Sequence, residues 1–99
     1  MQQAKINDKN WYFISVEQLN GVNIGTTIDN TKVCYIGNYY HRLDGPAIDY
    51  NRGDKHWYVN GKRHRENGTA IERNDGRCEF WLNGVKQEVK PICKTKRAE

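Results

Sequence analysis

Apolar and polar residues alternate over short stretches of this chain and then stop. The alternation is clearest in TAIER (69–73) and CEFWL (78–82), which flank Asn74-Asp75-Gly76, and it returns in AIDY and KHWYV around Asn51-Arg52-Gly53. A period of two sends successive side chains to opposite faces, the signature of a strand. Asp-Gly between two such runs signals a hairpin, because glycine takes positive φ at no steric cost. The pattern therefore predicts hairpins, with about six or seven short antiparallel strands and no long helix.

The hairpins recur. Setting YIGNYYHRLDGPAIDYNRGDKHW above YVNGKRHRENGTAIERNDGRCEF pairs His41 with His64, Arg42 with Arg65, Gly45 with Gly68, Ala47 with Ala70, Ile48 with Ile71 and Gly53 with Gly76, every offset being 23. One step forward takes Tyr58 to Trp81 and Asn60-Gly61 to Asn83-Gly84, after which the match fails at Gln87 and Glu88. One step back takes Cys34 to Trp11 and Tyr35 to Tyr12. The organisation expected is an N-terminal extension over 1–10, a repeat domain over 11–88 with a degenerate unit at 11–33 and better-formed units at 34–84, and a basic tail over 89–99. The fold class is all-β: hairpins of a 23-residue period stacked side by side into one elongated, twisted antiparallel sheet.

WYVNGKRHRENGTAIERNDGRCEFWLNG resembles a MORN-type repeat: an aromatic strand, NGK, a His-Gly turn, a second strand and a DG hairpin. HRLDGPAI (41–48) and WYVNGKRHRENG (57–68) are closer still to the variant of bacteriophages and large DNA viruses that repeats Trp-Tyr-x-Asn-Gly-x-x-His-Arg-x-x-Gly-Pro-Ala. The resemblance covers roughly 33–84 well and 11–32 poorly. It departs at Gly37-Asn38, at Thr69 in place of the proline and in the lack of His-Arg after Gly84, which marks both ends as capping units. The resemblance implies a small phage protein that binds a host factor, one of host defence included, and inhibits or redirects it.

Positions repeated every 23 residues form stripes: Tyr12, Tyr35, Tyr58 and Trp81 in one, Trp11, Cys34, Trp57 and Phe80 in the other. Neighbouring strand residues face opposite ways, so one stripe is expected in the core and the other on the surface, against the plainer alternative that both merely stack the hairpins together. The His41-Arg42 and His64-Arg65 pairs invite a phosphate or proton-transfer reading. A dipeptide repeated in a turn is better explained as shaping it, with each arginine satisfying nearby carbonyls or pairing with Asp44 and Glu66. Two histidines one step apart have no third metal ligand at that step, so no metal and no cofactor is expected.

Composition narrows the classes. Ninety-nine residues, 36% hydrophobic and 28% charged, make one domain without a deep core, so its aromatics and its sheet must hold it. No apolar run approaches the roughly 20 residues of a membrane helix, and MQQAKINDKN is too polar for a signal peptide, so no membrane contact and a cytoplasmic location, host cytoplasm for a viral protein, are expected. Cys34, Cys78 and Cys93 are odd in number and lack CxxC spacing, which predicts free thiols in a reducing compartment. Residues 1–50 carry four Lys/Arg against five Asp/Glu, net −1, and residues 51–99 carry twelve against seven, net +5.

No catalytic constellation is present: Tyr35-Ile36-Gly37 lacks the upstream Gly-Ile-Tyr of a GIY-YIG nuclease, and there is no Walker loop or Gly-x-Ser-x-Gly. A non-catalytic binding module is expected, with a host protein as partner. The alternative is a nucleic-acid or nucleotide binder using Arg63, Arg65, Arg73, Arg77 and the basic tail. Contact is expected on the best-formed unit, at His56, Trp57, Tyr58, Lys62, Arg63 and Arg65, with Trp81 from the next unit, because Trp, Tyr and Arg dominate binding energy. Arg63 falls where the repeat does not repeat, opposite Tyr40 and Lys86, and so is expected to be free for a partner. The last strand, around Cys78–Asn83, is expected to leave an open edge for a homodimer or a partner.

Overall fold

A computed structural model describes residues 2–66 and 68–87. The 89–99 tail lies outside the described residues. The described residues are all-β and antiparallel, in fourteen short strands: β1 (Gln2–Ile6), β2 (Lys9–Phe13), β3 (Ser15–Leu19), β4 (Val22–Thr26), β5 (Lys32–Ile36), β6 (Tyr39–Tyr40), β7 (Ile48–Asp49), β8 (Lys55–His56), β9 (Tyr58–Val59), β10 (Lys62–Arg63), β11 (Ile71–Glu72), β12 (Cys78–Glu79), β13 (Trp81–Leu82) and β14 (Val85–Lys86). Eight of them form the main sheet, in the order β12-β11-β8-β7-β5-β4-β3 with β6 also on β5; β1-β2, β9-β10 and β13-β14 are separate two-stranded ladders. The body is elongated, 40 × 28 × 23 Å.

The expected strands are cut in two for a local reason. KHWYV is one alternating run, yet β8 pairs with β7 and β11 whereas β9 pairs with β10. The break falls at Trp57, whose N–H donates to Ala70 O at 2.8 Å while its carbonyl accepts from His64 N at 3.1 Å. The chain thus leaves the main sheet to make its own small hairpin. Cys34 makes the corresponding pair of bonds, to Ala47 O and from His41 N, within the uninterrupted β5.

Bonds between units recur one step apart. Arg42 N–H donates to Tyr58 O and Arg65 N–H to Trp81 O; Gly61 N–H donates to Tyr40 O and Gly84 N–H to Arg63 O. Asn51 N–H is accepted by Thr31 Oγ1 and Asn74 N–H by Asp54 Oδ1, so the two side chains that anchor the turns are buried polar residues, each satisfied. Asn60-Gly61 and Asn83-Gly84 take positive φ at both positions, the mirror-image turn that matches strand twist.

Residues 2–6 form β1, paired with β2 from Gln2–Phe13 to Ile6–Lys9. Their turn, Asn7-Asp8, has positive φ at both residues without a glycine, a conformation Asn and Asp tolerate. This hairpin docks on the sheet: Asn7 N–H donates to Asn38 O at 2.9 Å and Asn7 Nδ2 to Gly61 O at 3.0 Å. Its inner face brings Ile6, Trp11 and Phe13 onto Val33, Tyr35, Tyr40, Ala47 and Ile48, which is the core. Trp11 Nε1 donates to the buried Tyr40 hydroxyl at 3.0 Å, and Phe13 stacks between Trp11 and Tyr35.

Neither aromatic stripe is an exposed surface. Trp11, Cys34 and Trp57 are buried, Tyr35 is buried, Tyr58, Phe80 and Trp81 are half-buried, and Tyr12 alone of the eight is exposed. Of the cysteines, Cys34 is a buried free thiol and Cys78 is disulfide-bonded, which corrects the expectation of free thiols throughout: an odd count still leaves room for one bond. Cys93 lies outside the described residues.

Candidate binding site

The residues expected to bind a partner divide into two clusters, because His56 and Tyr58 face one way and Trp57 the other. In the first, Arg63 reaches across β9-β10: its Nη2 donates to the Tyr58 hydroxyl at 2.6 Å and lies 3.4 Å from His56 Nδ1. Its guanidinium carbon sits 5.0 Å from the ring centres of both Tyr58 and Trp81. Among the described residues the buried Nε–H has no hydrogen-bond partner; it lies beside these two rings. Burial, then the positive charges of Arg63 and Arg73, hold His56 down to about 4, and Tyr50 meets its ring edge-on. Arg63 is therefore a framework residue joining successive units, which corrects the expectation that it is free.

In the second cluster, Arg65 lies 4.0 Å over the buried Trp57 ring and donates to Thr69 O and to Glu72, not to Glu66. The carbonyl it was expected to satisfy is there; the carboxylate differs because Glu66 turns to His64 Nε2 at 3.4 Å. Arg42 is its counterpart, donating to Asp44 and to Pro46 O. Each arginine packs flat on a glycine: a Cβ on Gly45 would sit 2.8 Å from the Arg42 guanidinium carbon, and one on Gly68 3.1 Å from that of Arg65. That contact explains the His-Arg-x-x-Gly spacing. Lys62 is exposed and belongs to neither cluster.

The histidines hold the next turn. His41 Nδ1 accepts the Asn60 N–H at 3.0 Å and His64 Nδ1 accepts the Asn83 N–H at 2.8 Å. Replacing His64 by Ala leaves the Asn83 amide to solvent and removes a well-covered ring, so a loss of about 1–2 kcal/mol in denaturant unfolding is expected. A midpoint unchanged from the parent would show that this bond adds nothing.

A surface that sequence reasoning missed lies at the other end of the sheet. A groove of about 630 Å³ has an apolar wall of Leu19, Val22, Ile24, Ile36, Leu43 and Pro46, with Glu17, Lys32, His41, Arg42, Asp44 and Asp49 around it. Leu19 and Leu43 are 62% and 78% exposed. Beside it β3 is the terminal strand of the main sheet, paired with β4 alone among the described residues. The available signal was Asn20-Gly21 between SVEQL and VNIGT, a hairpin sign equal to that at Asn60-Gly61. At the opposite end the terminal strand is β12, whose residues open the segment expected to form an edge. A second cleft, about 640 Å³, lies between the two His-Arg turns over Trp57, and Arg42, Asp44, Arg65 and Glu66 line it.

Cys34 has its thiol pushed up by burial, the opposite of an activated nucleophile. Among the described residues no three of His, Cys, Asp and Glu come together to hold a metal, and no helix is long and apolar enough to cross a membrane. No protein-family model, no curated protein and no solved structure matches this chain.

Proposed function

We propose that this chain is a non-catalytic protein-binding module whose contact surface is the groove bounded by β3, Leu19 and Leu43. The observation that carries the reading is that groove: a concave apolar wall with two leucines largely in water, flanked by a terminal strand paired on one side alone among the described residues. Exposed apolar area of this kind, rimmed by charge, marks interaction sites. The resemblance of 33–84 to MORN-type repeats of phages and large DNA viruses makes a host protein the partner we put forward, a defence factor included, with inhibition or redirection as the consequence.

The nucleic-acid alternative is weakened by where the arginines spend their charge. Arg65, Arg73 and Arg77 are paired with Glu72, Glu79 and Asp75, Arg42 and Arg52 with Asp44 and Asp54, and Arg63 lies between two rings. Guanidiniums already matched to carboxylates release little from a phosphate backbone.

The test is capture of partners from host lysate by the parent and by Leu43→Asp, with and without nuclease. Leu43 is exposed enough for the change to leave the fold intact, with a melting temperature within a degree or two of the parent expected. Capture by the parent should survive nuclease and moderate salt and be lost with Leu43→Asp. Capture that disappears with nuclease would favour nucleic acid, and capture retained by Leu43→Asp would remove the groove.

A further inference from the structure

We infer that β3 receives an extended strand from a partner protein, and that this strand carries a basic side chain beside Glu17 and a large apolar one beside Leu19. The inference rests on the protein-binding reading above and specifies how the groove end is used.

The backbone supplies the first part. Leu19 and Val22 flank the Asn20-Gly21 turn, whose residues have φ of 53° and 82°. Residues flanking such a two-residue turn exchange both hydrogen bonds with each other. Alternation along β3 then turns the N–H and C=O of Glu17 toward β4, and those of Val16 and Gln18 outward. That makes two donors and two acceptors on a five-residue edge with no proline within it. Native edges are commonly blunted by lysine or proline, and β3 has neither within its five residues. Strand addition is the recognition mode that such an edge serves.

Charge supplies the second part. Of the carboxylates around the groove, Asp44 is paired with Arg42 and Asp49 with Lys55. Glu17 has no ion pair among the described residues and is exposed. It shares its face with Leu19, two residues on. A strand laid along β3 thus meets a negative charge and then an apolar wall on one face. The complementary strand has Lys or Arg and a large apolar residue two apart on that face.

The experiment uses the full chain and a capped peptide, Thr-Leu-Val-Lys-Val-Thr, with a counterpart in which glutamate replaces the lysine. Amide exchange and methyl shifts are followed by NMR. The lysine peptide should slow exchange at Val16 and Gln18 and bind about fivefold more tightly than its counterpart, the scale of one cross-strand charge pair. Glu17→Lys should reverse that preference. Gln18→Pro removes an outward N–H without touching the β3-β4 ladder and should weaken binding at least about tenfold. Shifts at Leu43 and Ile36 without protection of Val16 and Gln18 would overturn strand addition and leave the groove as a binding surface. No shift at either place would overturn both readings. Protection already present in the free protein and lost on dilution would make the occupant a second copy, and would also overturn the proposal.

Discussion

Gly25→Ala is expected to destabilise this protein by about 3 kcal/mol, although it adds one methyl group to a strand with ordinary backbone angles. A Cβ built there would lie 2.6 Å from two carbons of the Phe13 ring and 2.7 Å from a third. Neither side can give way: Phe13 is fully buried, and it is stacked on Trp11 on one side and Tyr35 on the other. Gly25 stands one step before Ile48 and two before Ile71, which are buried at 3% and 2%. In the first unit the space that an isoleucine fills elsewhere is filled by a ring from the N-terminal hairpin. Phe13→Ala should be costlier still, about 3–5 kcal/mol, since it empties that space. On a domain of this size such losses lower the melting temperature by roughly 15–25 °C. The two changes should not add. In a Phe13→Ala background the alanine at 25 occupies vacated volume, so Gly25→Ala there should cost little or restore some stability. A double-mutant cycle read by chemical denaturation measures this coupling. Additive losses would show that the ring and the glycine are not packed against each other.

Arg63→Ala is expected to cost about 2–3 kcal/mol of stability, on the order of 10 °C in melting temperature. It removes one guanidinium from between two aromatic rings of successive units and a 2.6 Å hydrogen bond to the Tyr58 hydroxyl. Arg63→Lys should not restore the loss, because an ammonium lacks the flat fork that lies between the rings and reaches Tyr58. A second readout separates this role from generic loosening. Arg63 is the largest charge contribution holding His56 at about 4, so removing it should move the His56 titration upward toward 6.5, visible in its ring proton shifts. A parent-like melting temperature for Arg63→Ala, with weakened partner capture, would return this residue to the partner and remove it from the framework.

Much of the fold was legible because it is written in local terms. Alternation over two to five residues and Asn-Gly and Asp-Gly turns fix hairpins wherever they occur, since positive φ is cheap only at those residues. His41, Arg42 and Gly45 reappear as His64, Arg65 and Gly68 because one contact, an arginine laid on a bare glycine and a histidine accepting the next turn's amide, is made twice. Other features had no local sign. The Asn7-Asp8 turn carries no glycine, so β1 was hidden, and with it the docking that brings Ile6, Trp11 and Phe13 into the core. The freedom assigned to Arg63 followed from its failure to repeat, yet a side chain that long reaches the next unit's Trp81, and only the stacking of units brings the two together. The groove and the open β3 edge likewise depend on strand order. Sequence determines where a chain turns, because turning is a property of one or two residues. Which edge is left bare, and which side chains from distant turns meet, depends on how the hairpins are laid against one another, and that was decided by the tertiary structure alone.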